Sequence, residues 1–266
     1  MSRSKPVMGA TMSITTLGLH GFCAARVIRR AFEAVDLITG MVDTESTKSE
    51  LMRLLAAPIG ESHYVSTPLW QMLRIANEIA YRSDGAFDVA AAGTGGTARW
   101  TDIDLSVKNL VRLSRPLQVD LCAIAKGFVV DAAVKALQEA GVHQGIVDLD
   151  GCIRAFGPQE WRVYFSLNAS GDGARLPITL RDGALACFGE GYGSAALYDA
   201  RQDMLFAKEE WGTDGVIIRA PSAAFAAGLT HVAALMPTDA AKVLRGLSAQ
   251  GLVLTREGPR VLECTP

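Results

Sequence analysis

Several long stretches of the chain carry hydrophobic residues every three or four positions, a spacing typical of amphipathic helices with one buried face. The first runs from about Cys23 to Met41. A second follows Thr67 and Pro68, a pair typical of an N-cap followed by proline at the first helical position, and it ends at Gly85. Its apolar residues fall on one side of the helix: Leu69, Met72, Leu73, Ala76, Ile79 and Ala80.

The segment Val119–Asp131 predicts a strand that turns directly into a helix. Leu117 and Val119 are typical of a strand end, and the small residues that follow suit a tight turn. The helix is expected to extend to about Ala140. Gly141 then follows at the position where a left-handed residue ends many helices.

Shorter segments alternate apolar and polar residues or are continuously apolar, and these predict strands. They are Met8–Thr15, Gly145–Gly151, Trp161–Leu167, Leu176–Leu180, Ala184–Cys187, Val216–Ile218, Leu252–Leu254 and Val261–Leu262. Turn residues between neighbours favour hairpins, and two more helices are predicted at Ala223–Leu235 and Thr238–Leu247. Meander-like strands mixed with helices favour an α+β fold, with mixed or antiparallel sheets and packed helices, over a doubly wound sheet.

The composition is that of a globular protein with a sizeable core. Hydrophobic residues make up 49% of the 266 positions and charged residues 20%, which suits one domain or two intimately packed halves. Because no linker divides the chain, we expect a single domain over residues 1–266. The net charge of −2 provides no electrostatic footprint for nucleic acid.

The sequence also predicts a cytoplasmic location. No stretch is long and apolar enough to predict a membrane span. The first residues, Met1–Met8, lack the apolar core and cleavage site of a signal peptide, and no lipobox is visible.

The joint at Val119–Asp131 carries the first candidate chemistry. Asp120 lies at the predicted strand end and Lys126 in the first helical turn, where free N–H groups and the helix dipole favour phosphate. An ordinary strand–turn–helix joint with a solvated lysine accounts for these residues equally well. The segment by itself therefore leaves both interpretations open.

Four motifs in order make the sequence resemble the FAD:protein FMN transferases, the ApbE family, from Met8 to roughly Leu235. The family shows Met-Gly-Thr, Gly-Ala/Gly-Phe-Asp, Val-Asp-Leu-Gly-Gly-Ile-Ala-Lys-Gly-Tyr-x-x-Asp and Asn-x-Gly-Gly-Asp-Ile-Arg. The matching segments here are Met8-Gly-Ala10, Gly85-Ala-Phe-Asp88, Val119–Asp131 and Asp148-Leu-Asp-Gly-Cys-Ile-Arg154.

The resemblance implies an ApbE-like α+β fold with FAD in a cleft between two halves. Members of the family use a divalent metal, usually Mg²⁺, to cleave the FAD pyrophosphate. They transfer FMN to a Thr or Ser hydroxyl of a partner flavoprotein and release AMP. In such phosphoryl transfer, the metal and a lysine neutralise the charge that builds on the phosphate oxygens.

The resemblance also implies a set of site residues, carried over position by position. The implied FAD contacts are Met8, Ala86, Phe87, Asp88, Asp120, Lys126 and Leu197. The backbone carbonyl of Ala123 is implied as a metal ligand, and His231 stands where the family has a metal-binding threonine.

Several positions depart from the family pattern where the chemistry takes place. Glu45 replaces an aromatic residue that stacks on FAD, and Ala196–Ala200 lacks a histidine of the family. Ala227 and His231 replace an Asp and a Thr that bind the metal one helical turn apart, so Mg²⁺, which prefers oxygen ligands, should bind much more weakly. Three carboxylates could replace the lost one: Glu190, Asp199 and Asp203.

These departures leave three interpretations open. The protein is an active flavin transferase with a rearranged site, a degenerate relative that binds FAD or another nucleotide without transferring it, or a protein-interaction scaffold without flavin. The sequence does not choose among them, since the motifs favour the first and the substituted positions favour the second.

The five cysteines are widely spaced and form no C-x-x-C pair, so they predict neither a disulfide framework nor a standard zinc signature. Three of them, Cys122, Cys152 and Cys187, align with motif positions that converge on the family's site, as does His231. Three thiols and an imidazole would suit zinc. Alternatively, each cysteine is a small buried hydrophobe, which is the commoner role of a free cysteine.

Overall fold

An antiparallel sheet of eight strands is the frame of the computed structural model, which describes residues 1–91, 97–166, 175–189, 196–202, 204–207, 213–255 and 258–262. The elements in chain order are β1 (Ser2–Val7), β2 (Ala10–Thr16), α1 (Gly21–Met41), α2 (Glu50–Leu55), β3 (Ser62–Tyr64), α3 (Thr67–Arg82), a 3-10 turn (Trp100–Asp102), β4 (Ile103–Asp104), β5 (Leu110–Leu113), α4 (Cys122–Glu139), β6 (Gly145–Leu149), β7 (Cys152–Phe156), β8 (Trp161–Ser166), β9 (Arg175–Leu180), β10 (Gly183–Gly189), β11 (Ala196–Asp199), β12 (Met204–Ala207), β13 (Gly215–Ala220), α5 (Ala223–Leu235), α6 (Ala240–Gly246), β14 (Gln250–Thr255) and β15 (Gly258–Val261).

The large sheet has the order β1-β2-β6-β7-β10-β13-β14-β15, and every neighbouring pair in it is antiparallel. Three small antiparallel sheets accompany it, β3-β5-β4, β8-β9 and β11-β12. Helices and antiparallel sheets together confirm the α+β prediction. No helix in the described ranges combines the length and apolar character needed to cross a bilayer.

The two faces of the sheet are buried in different ways because successive strand residues point to opposite sides. One face packs against α4 and α5, on which α1 and α3 pack in turn, and it carries the main core, which includes Ala186 and Ile218. The other face is covered by the β8-β9 hairpin, whose Phe165 and Leu180 pack on Leu185 and Ile217.

The helix predictions agree closely with the structure, and Ala223–Leu235 is reproduced residue for residue. Helix α3 begins one residue earlier than expected: its N-cap is Ser66, whose hydroxyl accepts a hydrogen bond from the Leu69 N–H, so Thr67 is already helical. Gly141 has the expected left-handed backbone, with φ of +82°.

One strand prediction was wrong, and another strand is present but is not the first of the chain. Leu117 and Val119 are buried as expected but belong to no strand. The predicted first strand, Met8–Thr15, is the second strand of a hairpin. Its turn is Met8-Gly9, and the polar strand Ser2–Val7 precedes it at the sheet edge, where apolar alternation is not required.

Helices α4 and α5 approach each other unusually closely at Gly127. A Cβ at this position would overlap the carbonyl group of Ala223 and lie 2.7 Å from the Ala224 Cα. The contact is fixed by Asp131, one turn further along α4. Its two carboxylate oxygens accept the N–H groups of Ala223 and Ala224, at 3.0 and 2.9 Å, and it also pairs with Arg154.

We predict that Gly127→Ala destabilises the protein, since backbone atoms of α5 cannot yield as a flexible side chain would. The expected loss in free energy of unfolding is about 2–3 kcal/mol, measured by chemical denaturation. The matched control is Gly40→Ala in α1, where a Cβ meets no atom within 4 Å. That change should be neutral or stabilising by up to about 1 kcal/mol, because alanine favours helix. Equal effects of the two substitutions would contradict the close-approach argument.

Candidate functional site

Turns and strand ends from distant parts of the chain meet at one edge of the large sheet. The Met8-Gly9 turn lies beside the Asp150-Gly151 turn, because Met12 of β2 pairs with Leu149 of β6. The end of β10 joins them, since the Cys187 N–H donates to the Gly151 carbonyl at 3.2 Å. Antiparallel pairing therefore brings the first and fourth motifs of the sequence together.

Helix α4 brings the third motif to the second. The Asp120 N–H donates to the Val89 carbonyl at 2.8 Å, and the Asp120 Oδ1 accepts the Cys122 N–H at 2.9 Å. The Ile124 N–H is bonded to the Leu121 carbonyl at 2.9 Å. The N–H groups of Cys122 and Ile124 in the first turn thus already have acceptors within the protein. They are not free to bind an anion, as the sequence alone would allow.

Lys126 forms an ion pair across the site. Its Nζ lies 2.9 Å from the Asp150 Oδ2, and the two side chains are 30% and 36% exposed. Asp150 adopts a left-handed backbone with φ of +53°, in the turn between β6 and β7. Asp150 was not among the predicted site residues, although it occupies a motif position where the family sequence has glycine, and that substitution was the available signal.

The predicted FAD contacts Ala86, Phe87 and Asp88 follow the end of α3 and are all buried. The Asp88 Oδ1 accepts the Ala90 N–H at 2.9 Å and its Oδ2 accepts the Trp100 N–H at 3.0 Å. Burial raises the pKa of this carboxyl group, although the two hydrogen bonds oppose the shift. Asp88 is therefore engaged in holding the surrounding backbone.

The other predicted contacts differ in their placement. Met8, 36% exposed, projects from a left-handed turn position with φ of +50°. The backbone of Leu197 belongs to β11. Glu45 is exposed and its N–H donates to the Asp43 carboxylate at 2.9 Å. Whether these residues contact FAD stays a prediction.

His231 lies on the side of α5 that faces this edge. Its ring centroid is 4.8 Å from that of Phe188 and 6.2 Å from that of Phe87, and its Nδ1 is 3.3 Å from the Thr230 hydroxyl. Burial lowers the pKa of the imidazole to about 4 and outweighs a hydrogen bond to the Ala227 backbone and the negative charge of Asp120, which both raise it. The ring is therefore neutral at pH 7.

The residues of this edge do not fit a hard divalent cation. Ala227, one turn before His231, offers a methyl group, and Ala123 lies in the first turn of α4, where carbonyls normally accept helical N–H groups. Asp199 is buried with both oxygens held by Arg201, while Glu190 and Asp203 lie outside the described residues. Throughout the described ranges, no three His, Cys, Asp or Glu side chains are grouped to hold a metal.

The zinc hypothesis for the cysteines is wrong. Cys152 pairs with Ala186 and points into the main core, where its thiol faces the Ala223 carbonyl. Cys187 is the next residue along β10 and points to the opposite face, against the β8-β9 hairpin. Burial raises the pKa of both thiols, that of Cys187 to about 12, so they are small hydrophobes.

Of the three cysteines considered for the zinc site, Cys122 lies at the start of α4, beside the site residue Asp120. It is the first residue of α4, between Asp120 and Lys126 in the sequence, and it is exposed to solvent. Burial of the sulfur and the Asp120 carboxylate raise the pKa of this thiol to about 11. Cys122 is thus protonated near neutral pH and is not a thiolate ligand.

Comparison with known proteins identifies the family of these motifs. A sequence model of the ApbE family matches residues 8–190. An FAD:protein FMN transferase of Vibrio cholerae serotype O1 is 26% identical over 189 residues, 60% of this chain and 57% of that protein. One from Rhodobacter capsulatus is 29% identical over 144 residues, 43% of this chain and 27% of that protein. The matched segment therefore spans little more than half of the first relative and about a quarter of the second.

Solved structures share the fold over nearly the whole chain. The apo flavinyl transferase ApbE of Pseudomonas stutzeri superimposes with a TM-score of 0.83 at 17% identity, covering 98% of this chain and 94% of that one. The flavin transferase ApbE of Vibrio cholerae gives a TM-score of 0.81 at 20% identity, covering 98% and 96%. At these identities the likeness establishes the fold.

We predict that His231 makes the protein less stable in mild acid. Its folded pKa of about 4 lies below the ordinary 6.5, so the unfolded chain takes up the proton first. Its contribution is complete above pH 6.5 and is lost as the pH falls toward 4. The loss is at most about 3 kcal/mol, and less to the extent that the partly exposed ring meets water.

The measurement is chemical denaturation of the wild type, His231→Gln and the control His143→Gln at pH 7.5 and 4.5. The first variant should lose less stability between the two pH values than the wild type. The control, which changes an exposed histidine, should behave like the wild type. An identical pH dependence in all three proteins would refute the assignment.

Proposed function

The chain belongs to the ApbE family, and we propose that it is an FAD:protein FMN transferase, as its relatives from Vibrio cholerae and Rhodobacter capsulatus are named. The acceptor would be a Thr or Ser hydroxyl of a partner flavoprotein. Its oxygen attacks the phosphorus on the FMN side of FAD, the pyrophosphate P–O bond breaks, and AMP leaves while the hydroxyl proton is released.

The observation that carries this proposal is the meeting of all four motifs at one sheet edge. The Met8-Gly9 turn, the Asp88 segment, the start of α4 and the Asp150-Gly151 turn are linked there by strand pairing and by the Asp120–Val89 hydrogen bond. Motifs scattered over the surface could not bind one ligand together. Gathered at one edge, they are placed so that a single extended ligand, such as a dinucleotide, can contact several of them.

Lys126 is the residue we assign to the ligand's phosphates. Lys126 lies in the first turns of α4, its ammonium group is paired with Asp150, and its side chain is partly exposed. A full positive charge near the pyrophosphate offsets the charge that develops on the leaving oxygen. Phe87 and Phe188, with the neutral His231 ring between them, supply an apolar wall on the α5 side.

A second candidate function is binding of FAD without transfer. It is favoured by the two positions on α5, Ala227 and His231, which present a methyl group and a neutral imidazole where the family pattern places metal-binding oxygens. Mg²⁺ supplies Lewis acidity to phosphoryl transfer when it is bound, and the described residues do not fit it.

Incubation with FAD separates these functions. If the protein is a transferase, FAD should yield AMP together with FMN on an added flavoprotein that contains an acceptor hydroxyl, measured by chromatography and by mass spectrometry of the acceptor. Mg²⁺, Mn²⁺ and EDTA are compared in parallel. Tight FAD binding without AMP under every condition would support the binding function and exclude transfer.

Restoring the family's oxygens provides the complementary prediction. The double variant Ala227→Asp with His231→Thr should acquire Mg²⁺-dependent AMP release, or raise it at least about tenfold, because a carboxylate and a hydroxyl are ligands that Mg²⁺ accepts. The control Ala227→Asn with His231→Thr has a similar shape but no added charge and should gain much less. No gain in the Asp variant would mean that the metal oxygens are not what limits turnover.

A further inference from the structure

We propose that Asp150 is a specificity residue that competes with the ligand's phosphates for Lys126. In the free protein its carboxylate holds the ammonium group, and a bound phosphate takes its place. Asp150 thereby weakens the binding of anionic ligands relative to neutral ones. This inference rests on the proposed FAD site and names a residue that tunes it.

The backbone at Asp150 shows that its side chain is not required by the turn. With φ of +53°, the residue occupies the left-handed region that glycine enters freely and that costs other residues free energy, Asp and Asn the least. The turn is already closed by the Asp148 Oδ1, which accepts the Gly151 N–H at 3.1 Å. Glycine would therefore suit this position at least as well, and the aspartate adds only a carboxylate.

That carboxylate binds the ammonium group of Lys126, the residue proposed to contact the ligand's phosphates. The Lys126 Nζ lies 2.9 Å from the Asp150 Oδ2, a distance typical of a charge-assisted hydrogen bond. Arg154, further along β7, cannot substitute for it because it is paired with Asp131, which also binds the N-terminus of α5. An incoming phosphate thus meets a lysine whose charge is already balanced.

The other charges near Lys126 also disfavour an incoming phosphate. Asp120 is also close to this group, since its charge and that of Lys126 both act on the Cys122 thiol. With Asp150 present, two carboxylates lie near one ammonium group, and an incoming phosphate meets a net negative charge. Removing Asp150 leaves one carboxylate and one ammonium group, so the repulsion falls and the lysine is released together.

The experiment compares Asp150→Gly and Asp150→Asn with the wild type for binding of three probes by isothermal titration calorimetry at low salt. FAD and ADP carry phosphates, whereas riboflavin carries none. Both variants should bind FAD and ADP about three- to tenfold more tightly and riboflavin unchanged, a size typical of partly exposed charge pairs. In a Lys126→Met background, removing Asp150 should give less than about half of that gain.

The matched control is Asp182→Gly in the turn before β10. Asp182 is likewise a non-glycine residue in the left-handed region, with φ of +41°, and it is exposed and away from Lys126. It should change stability much as Asp150→Gly does but leave all three affinities unchanged. A tighter affinity for FAD in this control would mean that backbone relaxation, and not charge, is the cause.

The outcomes separate this inference from the proposed function. If the wild type binds FAD and both Asp150 variants bind it no more tightly, the inference fails and the proposed function stands. If the wild type binds no probe but Asp150→Gly binds FAD and ADP, the inference holds and the wild-type transferase is excluded. If none of the proteins binds any probe, both are overturned.

Discussion

The contact between α4 and α5 is the constraint on which the rest of the site depends. Gly127 lets the two helix backbones touch, and Asp131 then receives the first N–H groups of α5 and the Arg154 side chain of the sheet. This arrangement fixes the register of α5 relative to α4. As a result, His231 faces the same edge as Asp120, although more than a hundred residues separate them in sequence.

Much of the frame followed from periodicity, because the long helices bury one face and their apolar residues recur accordingly. Helix α5 was predicted residue for residue even though most of its residues are buried, and the structure shows Ser222 as its N-cap and Met236 as its C-cap. The edge strand Ser2–Val7 was missed because most of its residues are exposed to water, so its sequence shows no apolar alternation. Leu117 and Val119 were misassigned because buried extended segments and strands have the same apolar pattern.

The site was predicted in part. Motif order located the participating segments, and the structure gathers them. Pairing partners could not be read from the sequence, because they depend on which turns face each other across the sheet. The Lys126–Asp150 pair forms because the turn between β6 and β7, which contains Asp150, lies next to α4. Likewise, neighbouring strand positions send Cys152 and Cys187 to opposite faces, which no spacing of cysteines in the sequence reveals.

The position of the site at the ends of strands has an evolutionary consequence. Ladder hydrogen bonds and the two buried faces determine the shape of the sheet, and neither uses the side chains of the Met8-Gly9 or Asp150-Gly151 turns. Mutations at this rim therefore escape the selection that preserves the fold. Side chains at this rim can therefore change while the backbone still superimposes on the flavinyl transferase ApbE of Pseudomonas stutzeri at a TM-score of 0.83. In such a protein the backbone fold and the side chains of the site can evolve at different rates.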